Sequence, residues 1–374
     1  MRKARKHAPA KMMRRSSRIS LNDLNAGKAQ ALIQFLRLCH DVTQYFVDLF
    51  WQRRDGSADL ADLSTVHRGR DRFSTTTRLA QALAKQAKEC IRSALRKEQK
   101  RKPRLQSHTV TLYYHFVTIE SFDGTFDYAI KLIGSGAPRM VIPVRSTKHL
   151  NRLLAEGWHM AKTIRLGRDK KGRLFVDVIV EKPRPALKTE GRVVGMDSNY
   201  KNGFVFSDDQ VIGQTLHPRI QAFTKRQKHT HDEIQSLLGH AVKRLDLSQI
   251  KLLAIENLKH VKSHKRGKFP RVFNRRLSHW LYAYLIAVVA RRCEEAGVRL
   301  ERKSPWKTSQ WCRRCERWDR RNRVGDRFCC VQCGSTDHAD HHAAKNLELL
   351  GVAGVYGLRS LPNLEQCSEN HRSE

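Results

Sequence analysis

Two CxxC pairs stand close together in the C-terminal part of the chain. Cys312 and Cys315 form the first pair, and Cys330 and Cys333 form the second, with fourteen residues between them. Four thiolates at such spacing can close a tetrahedral zinc site, with Zn–S distances of about 2.3 Å. The intervening residues are rich in arginine and poor in apolar side chains, so the metal must supply the stability of this segment. Because four cysteines leave zinc no open position, the predicted zinc is structural.

Two alternatives to this ligand set stay open at the level of sequence. Cys329 could replace Cys330, although it would form a CxxxC with Cys333. The four cysteines could also stay reduced without a metal. The other five of the nine cysteines are scattered without the framework of a disulfide-rich protein, which is typical of a reducing compartment.

Carboxylates that could do chemistry lie at the ends of predicted elements. Asp197 ends the apolar strand RVVGMD, and Glu256 ends the apolar part of QIKLLAIENL. Asp337 and Asp340 precede or begin a predicted helix over 341–350. Adjacent strands that end together would bring the first two acids close to each other, and a helix that leans on the same sheet edge would add a third.

Converging carboxylates repel one another unless a divalent cation joins them. Oxygen ligands suit magnesium or manganese, and two such ions about 4 Å apart can activate water and stabilise the leaving oxygen of a phosphodiester. Taken singly, an aspartate at a strand end is usually a turn residue, and Asp337 or Asp340 alone is usually a helix N-cap. The order of the acids, with the zinc segment just before the third, favours a catalytic site.

The elements that would position these residues fall into five predicted segments. Helical spacing is clear over 31–51 and 75–100, and β-rich runs follow from 108 to 182. The first three predicted segments are a flexible basic arm (1–20), a helical segment (21–104), and an antiparallel β-barrel unit with its Pro-rich linker (105–190). The last two are a mixed α/β sheet (191–350), into which the zinc segment is inserted at about 306–336, and a flexible C-terminal tail (351–374).

The charge of the chain points to a polyanionic partner. Lysine and arginine number 72 against 36 acidic residues, a formal net charge of +36. Nucleic acid is the first candidate, and an anionic membrane surface is the second. The longest apolar run, 281–290, is about half of what a bilayer crossing needs. The basic N-terminus leads into no apolar signal-peptide core, so we expect no membrane partner and a bacterial cytoplasmic, nucleoid-associated location.

Five motifs in the C-terminal half resemble those of a known family. They are GMD (195–197), AIEN (254–257), TSQWCRRC (308–315), FCCVQCG (328–334) and ADHHAAKN (339–346). This pattern is similar to that of the transposon-encoded OrfB/TnpB proteins and of the related compact type V CRISPR effector nucleases. The resemblance covers residues 191–350; the N-terminal half matches only in layout, with a basic start, a helical segment and a β unit.

The resemblance implies a multidomain α+β protein with an RNase H-like (RuvC-type) nuclease domain and an inserted zinc ribbon, preceded by helices and a wedge-like β-barrel. It makes Asp197, Glu256 and Asp340 the catalytic, magnesium-binding acids. It places Cys312, Cys315, Cys330 and Cys333 on structural zinc. It also implies a guide RNA, and a double-stranded DNA target whose short flanking motif is read by the N-terminal half.

Three positions depart from the family pattern. Asn199 and Glu316 each stand where the family usually has glycine, and we expect Asn199 to tolerate a left-handed backbone. His342 stands where the family usually has asparagine, which keeps Asp337 open as a third ligand. No acid is missing, so the sequence favours an active RNA-guided DNA endonuclease. An RNA-guided repressor that does not cut and an RNA-independent transposase or resolvase-like enzyme are the alternatives.

Overall fold

The computed structural model describes residues 12–53, 62–122, 124–199, 203–219, 230–258 and 282–361. The chain divides into two compact units, Met1–Pro183 and Arg184–Glu374, and the division lies within the Pro-punctuated segment 181–191. None of the helices in these ranges combines the length and apolar character that a bilayer crossing requires.

The described part of the first unit contains helices and two antiparallel sheets. Its helices are α1 (Ala26–Gln52), α2 (Leu63–Arg72), α3 (Thr77–Arg96) and α4 (Lys148–Ala155). Its strands are β1 (Met12–Ser20), β2 (His108–Tyr113), β3 (Val117–Ser121), β4 (Tyr128–Leu132), β5 (Met140–Val144), β6 (His159–Arg168) and β7 (Leu174–Pro183). The strand orders are β1-β7-β6-β2 and β3-β4-β5. The antiparallel pairing agrees with the sequence, whereas closure into a barrel stays a prediction.

The expectation of a flexible basic arm is wrong for Met12–Ser20. This segment is strand β1, which pairs antiparallel with β7 in the register Met12↔Pro183 to Ser20↔Phe175. Met13 and Ile19 face inward and are buried. The arginines between them misled the sequence prediction, because one of them, Arg18, gains a bidentate partner in the buried Asp177 of β7. Residues 1–11 of the predicted arm lie outside the described residues.

The second unit is built on a mixed five-stranded sheet. Its strands are β8 (Arg192–Asn199), β9 (Gly203–Phe206), β10 (Val211–Ile212), β11 (Ile250–Glu256) and β12 (Arg299–Lys303). The α-helices in its described residues are α5 (Thr230–Lys243), α6 (Tyr282–Ala296) and α7 (Ala339–Val352). The order is β10-β9-β8-β11-β12, in which β8, β11 and β12 are parallel and β9 is antiparallel to both neighbours. The sequence predicted such a mixed sheet.

The alternation of side chains along β8 and β11 gives each face of the sheet its own helices. Val194 and Leu253 face a core shared with α5 and α6, represented by Leu238 and Leu285. On the opposite face, Leu252 and Ala254 pack with Leu347 of α7, and Val193 is partly buried beside them. Among the described residues, the period of two along a strand therefore separates α5 and α6 on one face from α7 on the other.

A small antiparallel sheet precedes α7. It consists of β13 (Arg323–Val324), β14 (Arg327–Cys329) and β15 (Thr336–His338), and we call residues 306–338 the ribbon. The expectation of a flexible tail is wrong for residues 351–361, since Leu358 is buried in a cluster with Trp311 and Leu350. Residues 362–374 lie outside the described residues.

The approach of α7 to the sheet depends on glycine. A Cβ added to Gly195 of β8 would lie 1.9 Å from the carbonyl oxygen of Ala344 and 2.5 Å from the amide nitrogen of Glu348. Both neighbours are backbone atoms of a helix, so they cannot move aside as a flexible side chain would. The sequence motif GMD therefore begins with glycine because the helix backbone occupies the space of a side chain.

We expect Gly195→Ala to displace α7 and to lower the free energy of unfolding by about 1–3 kcal/mol, the usual cost of overpacking a close contact. Gly239→Ala is the matched control in the same unit. It lies within α5, its added Cβ would meet nothing closer than the Tyr284 hydroxyl at 3.5 Å, and it should raise stability by about 1 kcal/mol through helix propensity. Thermal unfolding measures both, and equal effects of the two substitutions would contradict this role of Gly195.

Candidate metal-binding active site

Asp197 and Glu256 lie side by side at the carboxyl ends of two neighbouring parallel strands. The register pairs Gly195 with Ala254 and Met196 with Ile255, so the next residue on each strand is one of the two acids. Directly paired residues of neighbouring strands point to the same face, which here is the face covered by α7. The two carboxyl groups share a hydrogen bond.

Asp340 joins this pair from the first turn of α7. Its side chain is almost fully buried, with 1% of the residue exposed. The side chain of the N-cap residue His338 accepts a hydrogen bond from the Asp340 amide, at 3.3 Å, and so fixes the start of the helix. Asn199 Nδ2 donates to Asp340 Oδ2 at 2.8 Å, and Arg323 Nη2 lies 3.4 Å from Asp340 Oδ1. The third acid is thus held by an amide and a guanidinium.

The electrostatics of the pair show that its members repel. Burial, followed by the charges of Glu256 and Asp340, holds the pKa of Asp197 well above its usual range. Burial also raises the pKa of Glu256 to about 7, against the opposing effect of the Thr308 hydroxyl. Without a cation, the two carboxyl groups therefore keep a proton near neutral pH. A divalent cation would replace that proton, which is what a metal site of oxygen ligands requires.

Asp337 occupies a different environment from the three acids. It belongs to β15 and its Oδ2 lies 3.0 Å from Lys345 Nζ and 3.8 Å from His342 Nδ1. The ion pair with Lys345 is among the effects that lower the pKa of Asp337, against burial, which raises it. The structure therefore places Asp340 beside Asp197, and it places Asp337 in an ion pair along α7.

Three residues around the acids were not assigned this role from the sequence. Thr308 is buried and donates from Oγ1 to Glu256 Oε1 at 3.3 Å. Arg323 is one of many arginines in the ribbon, and nothing in its spacing distinguishes it from the others. Asn199 was expected only to tolerate a left-handed backbone; it belongs to strand β8, and its side chain holds Asp340. The position of Thr308 within the TSQ motif was the available signal.

The four predicted cysteines meet at one point of the ribbon. All four Sγ atoms lie within 4.8 Å of one another; Cys312 and Cys333 are 3.6 Å apart, and Cys315 and Cys330 are 3.5 Å apart. A tetrahedron with Zn–S bonds of about 2.3 Å has S···S edges of about 3.8 Å, so the arrangement fits zinc. Cys329 does not belong to the cluster, which answers the ligand alternative left open by the sequence.

Glu316, directly after the first cysteine pair, carries backbone strain. Its φ of 57° lies in the left-handed region, which glycine adopts freely and a glutamate rarely does. The departure from the family pattern at this position therefore has a local cost. The Trp311 indole donates to the Glu316 carbonyl at 3.0 Å and helps to hold this turn.

The ribbon holds α7 through buried contacts. Phe328 stacks on His342 with ring centroids 3.5 Å apart. The Trp311 carbonyl accepts from His342 Nε2 at 2.6 Å and from Asn346 Nδ2 at 3.0 Å. Burial lowers the pKa of His342, so the ring is neutral and donates from Nε2. Because Phe328 lies between the two cysteine pairs, metal bound at the cysteines would also steady the helix that carries Asp340.

Part of this chain is similar to known CRISPR-associated proteins. Residues 282–347 match the family model described as "Cas12f1-like, TNB domain". A segment of 80 residues is 36% identical to the CRISPR-associated endodeoxyribonuclease Cas12f1 of Sulfoacidibacillus thermotolerans; it covers 21% of this chain and 19% of that protein. The aligned segment thus spans about a fifth of the relative's length.

The structure itself resembles a solved Cas12f1. The cryo-EM structure of the Cas12f1–sgRNA–target DNA complex superposes with a TM-score of 0.56 at 13% identity, over 87% of this chain and 83% of that chain. The two proteins therefore share a fold. The cryo-EM structure of CasPhi-2 (Cas12j) bound to crRNA is also similar over 32% of this chain and 20% of that chain, at 20% identity and a TM-score of 0.26.

The raised pKa values predict a pH-dependent response to magnesium. Between pH 5 and 8 the unfolded chain has already ionised both acids, near pKa 4, whereas the folded metal-free protein must ionise them in a buried site. We therefore expect the stability contributed by Glu256 to fall as pH rises through about 7, and the raised pKa of Asp197 to add to this loss. Magnesium should raise the melting temperature by a few degrees at pH 8 and by much less at pH 5.

Asp197→Asn should remove the magnesium effect, and Asp232→Asn, which changes an exposed carboxylate on α5, should keep it. Melting curves recorded with and without magnesium at pH 5 and pH 8 measure the shift in melting temperature for each variant. An equal effect of magnesium at pH 5 and pH 8 would contradict the assignment.

Replacement of single cysteines tests the zinc site. Cys312→Ser should reduce bound zinc from about one ion per chain to almost none and lower the melting temperature, since a small ribbon depends on its metal. Cys329→Ser is the matched control, because Cys329 lies outside the cluster, and it should keep the zinc. Elemental analysis after dialysis gives the zinc content; loss of zinc in Cys329→Ser would overturn the ligand set.

Proposed function

We propose that this chain is an RNA-guided DNA endonuclease of the compact type V class, with a RuvC-type active site on an RNase H-like sheet. The observation that carries the proposal is the meeting of Asp197, Glu256 and Asp340 at the end of β8 and β11, under the first turn of α7. The similarity of residues 282–347 to a Cas12f1-like domain and the fold shared with Cas12f1 support it.

Asp197, Glu256 and Asp340 would hold two divalent cations, magnesium or manganese. When bound, these ions would supply charge neutralisation for the scissile phosphate and an acidified water. Thr308 orients Glu256, and Asn199 orients Asp340, so both acids are positioned before substrate arrives. Arg323 adds a positive charge on the ribbon side of the site, where a phosphate would approach.

The charge of the chain supports nucleic acid as guide and as target. A net charge of +36 suits phosphate backbones, which proteins bind independently of sequence. We propose that a guide RNA supplies sequence choice by base pairing and that the first unit contacts a short motif flanking the double-stranded DNA target. The solved relative is a complex with a single guide RNA and target DNA. Action on DNA would place the protein at the bacterial nucleoid, in the cytoplasm.

The five C-terminal motifs also support kinship with the transposon-encoded OrfB/TnpB proteins. The matched relatives come from the CRISPR effector side of that resemblance. Both groups lead to the same proposed chemistry, which depends on the acids rather than on the genetic setting.

The protein purified with its own RNA should cut DNA that matches this RNA when magnesium is added. Asp197→Asn should slow cutting by a factor of about 10²–10³, the usual cost of removing one group that stabilises transition-state charge, and should leave RNA binding intact. Asp337→Asn is the matched control, since Asp337 pairs with Lys345 rather than with the acids. Its cutting rate should stay within a few-fold of the unaltered protein.

Three outcomes would contradict the proposal. Tight occupancy of matched DNA without cleavage would make the chain an RNA-guided repressor. Purification without RNA, together with strand transfer, would favour a transposase or resolvase-like enzyme. Loss of RNA binding in Asp197→Asn would show that this residue serves the fold rather than the chemistry.

A further inference from the structure

Two tyrosine hydroxyls hold the end of strand β11 and the residues directly after it. The Tyr282 hydroxyl donates to the Glu256 carbonyl and accepts from the Leu258 amide at 3.3 Å. The Tyr356 hydroxyl accepts from Asn257 Nδ2 at 3.1 Å. Three consecutive residues, one of which is a proposed catalytic acid, thus each have a tyrosine hydroxyl as partner. We call Tyr282 and Tyr356 the tyrosine clamp.

The Tyr282 hydroxyl is a lasting hydrogen-bond donor. Tyr282 is the first residue of α6, and its ring is partly buried against the core on that face of the sheet. Burial raises the pKa of Tyr282 to about 12, against the effect of the Leu258 amide, and the charge of Glu256 raises it further. The hydroxyl therefore keeps its proton at neutral and mildly alkaline pH, and its bond to the Glu256 carbonyl persists there.

Tyr356 is fixed by its backbone rather than by burial, since it is 56% exposed. Its carbonyl accepts from the amide of Ser304, the residue after β12, at 2.7 Å. The preceding carbonyl, that of Val355, accepts from the buried Lys303 ammonium at 2.8 Å. Lys303 is the register partner of Glu256 on β12. The second hydroxyl of the clamp is therefore carried by a segment tied to the strand next to β11.

Glu256 needs such support because its surroundings favour its displacement. It ends strand β11, and its carboxyl group shares a buried site with Asp197 and Asp340, whose charges oppose its own. A rotation of the last peptide of the strand would carry the carboxyl group away from its neighbours. The Thr308 hydroxyl holds the side chain of Glu256, and the Tyr282 hydroxyl holds its carbonyl. The side chain and the backbone of this acid are thus each held by a hydroxyl.

We infer that the tyrosine clamp positions Glu256 for binding a divalent cation, and that Tyr282 is its main member. Tyr282 acts through Glu256, as a positioning residue, and does not itself touch the cation. Loss of a hydrogen bond that orients a metal ligand typically lowers metal affinity by about 10–100-fold. The inference rests on the proposed function in one respect, because the cation is the one that Asp197, Glu256 and Asp340 would hold.

Binding of Mn²⁺, followed through the electron paramagnetic resonance signal of the free ion, tests the clamp. The zinc-loaded full chain is used without RNA or DNA, and binding that persists in Asp197→Asn is subtracted as nonspecific. Tyr282→Phe removes only the hydroxyl and should weaken the remaining binding about tenfold. Tyr284→Phe is the matched control, since it removes a hydroxyl that faces Gly239 of α5 from the same helix. It should leave the affinity within about twofold.

A double-mutant cycle separates positioning from a general effect on the fold. Glu256→Gln alone should weaken Mn²⁺ binding. Adding Tyr282→Phe to Glu256→Gln should cost no more than about twofold further, because the clamp acts through the Glu256 carboxylate. A merely structural role of Tyr282 predicts an equal loss in both backgrounds. If Tyr282→Phe does not fold, Tyr356→Phe, which alters an exposed ring, takes its place in the cycle and should weaken binding a few-fold.

Unchanged Mn²⁺ affinity in a folded Tyr282→Phe would overturn the inference, as would equal losses in Tyr282→Phe and Tyr284→Phe, or an equal loss with and without the Glu256 carboxylate. In each of these cases, binding that still depends on Asp197 would leave the proposed active site in place. A chain that binds Mn²⁺ with the help of Tyr282 but never cuts DNA would keep the clamp and lose the proposed function. Absence of Asp197-dependent binding in the unaltered chain would remove both.

Discussion

The close contact between α7 and strand β8 at Gly195 is the constraint on which the site depends. The helix backbone lies where a side chain would otherwise be, and this brings the first turn of α7 to the edge at which β8 and β11 end. Gly351 repeats the arrangement near the other end of the helix, where an added Cβ would lie 2.8 Å from Val193. Two glycines thus set the distance between the helix and the sheet. This distance places the side chain of Asp340 beside the ends of β8 and β11.

The cost of this arrangement is electrostatic. Burial and the charges of Glu256 and Asp340 raise the pKa of Asp197, burial raises the pKa of Glu256, and the fold gains nothing from bringing these acids together. The neighbours Thr308, Asn199 and Arg323 orient and partly neutralise the group. The ribbon adds stability from outside, through the stack of Phe328 on His342 and the bonds to the Trp311 carbonyl. The stability that these ribbon contacts contribute therefore offsets the electrostatic repulsion among the three acids.

The sequence was informative where a local pattern decides the structure. Apolar strands that end in an acid predicted the positions of Asp197 and Glu256, and cysteine spacing predicted the cluster of four thiols. Asp340 was preferred to Asp337 through the resemblance alone, because both precede the helix predicted over 341–350 and only the start of α7 at Ala339 decides which acid lies beside Asp197. The roles of Asn199 and Arg323 depend on contacts with residues 141 and 17 positions away, respectively, which no local pattern contains. Strand β1 was missed for the same reason, since its charged face is paired by a strand far along the chain.

The pairing of β1 with β7 has a consequence for how the chain folds during synthesis. Ser20 pairs with Phe175, which is 155 residues later, so β1 leaves the ribosome long before its partner exists. At a synthesis rate of about 5–20 residues per second, that interval is about 8–30 s. During it, β1 would be a single unpaired strand, the kind of segment that aggregates. Its arginines keep the waiting strand charged, and Asp177 on β7 later receives one of them, Arg18. The first unit can thus close its larger sheet only after strand β7, which ends at Pro183, has been made.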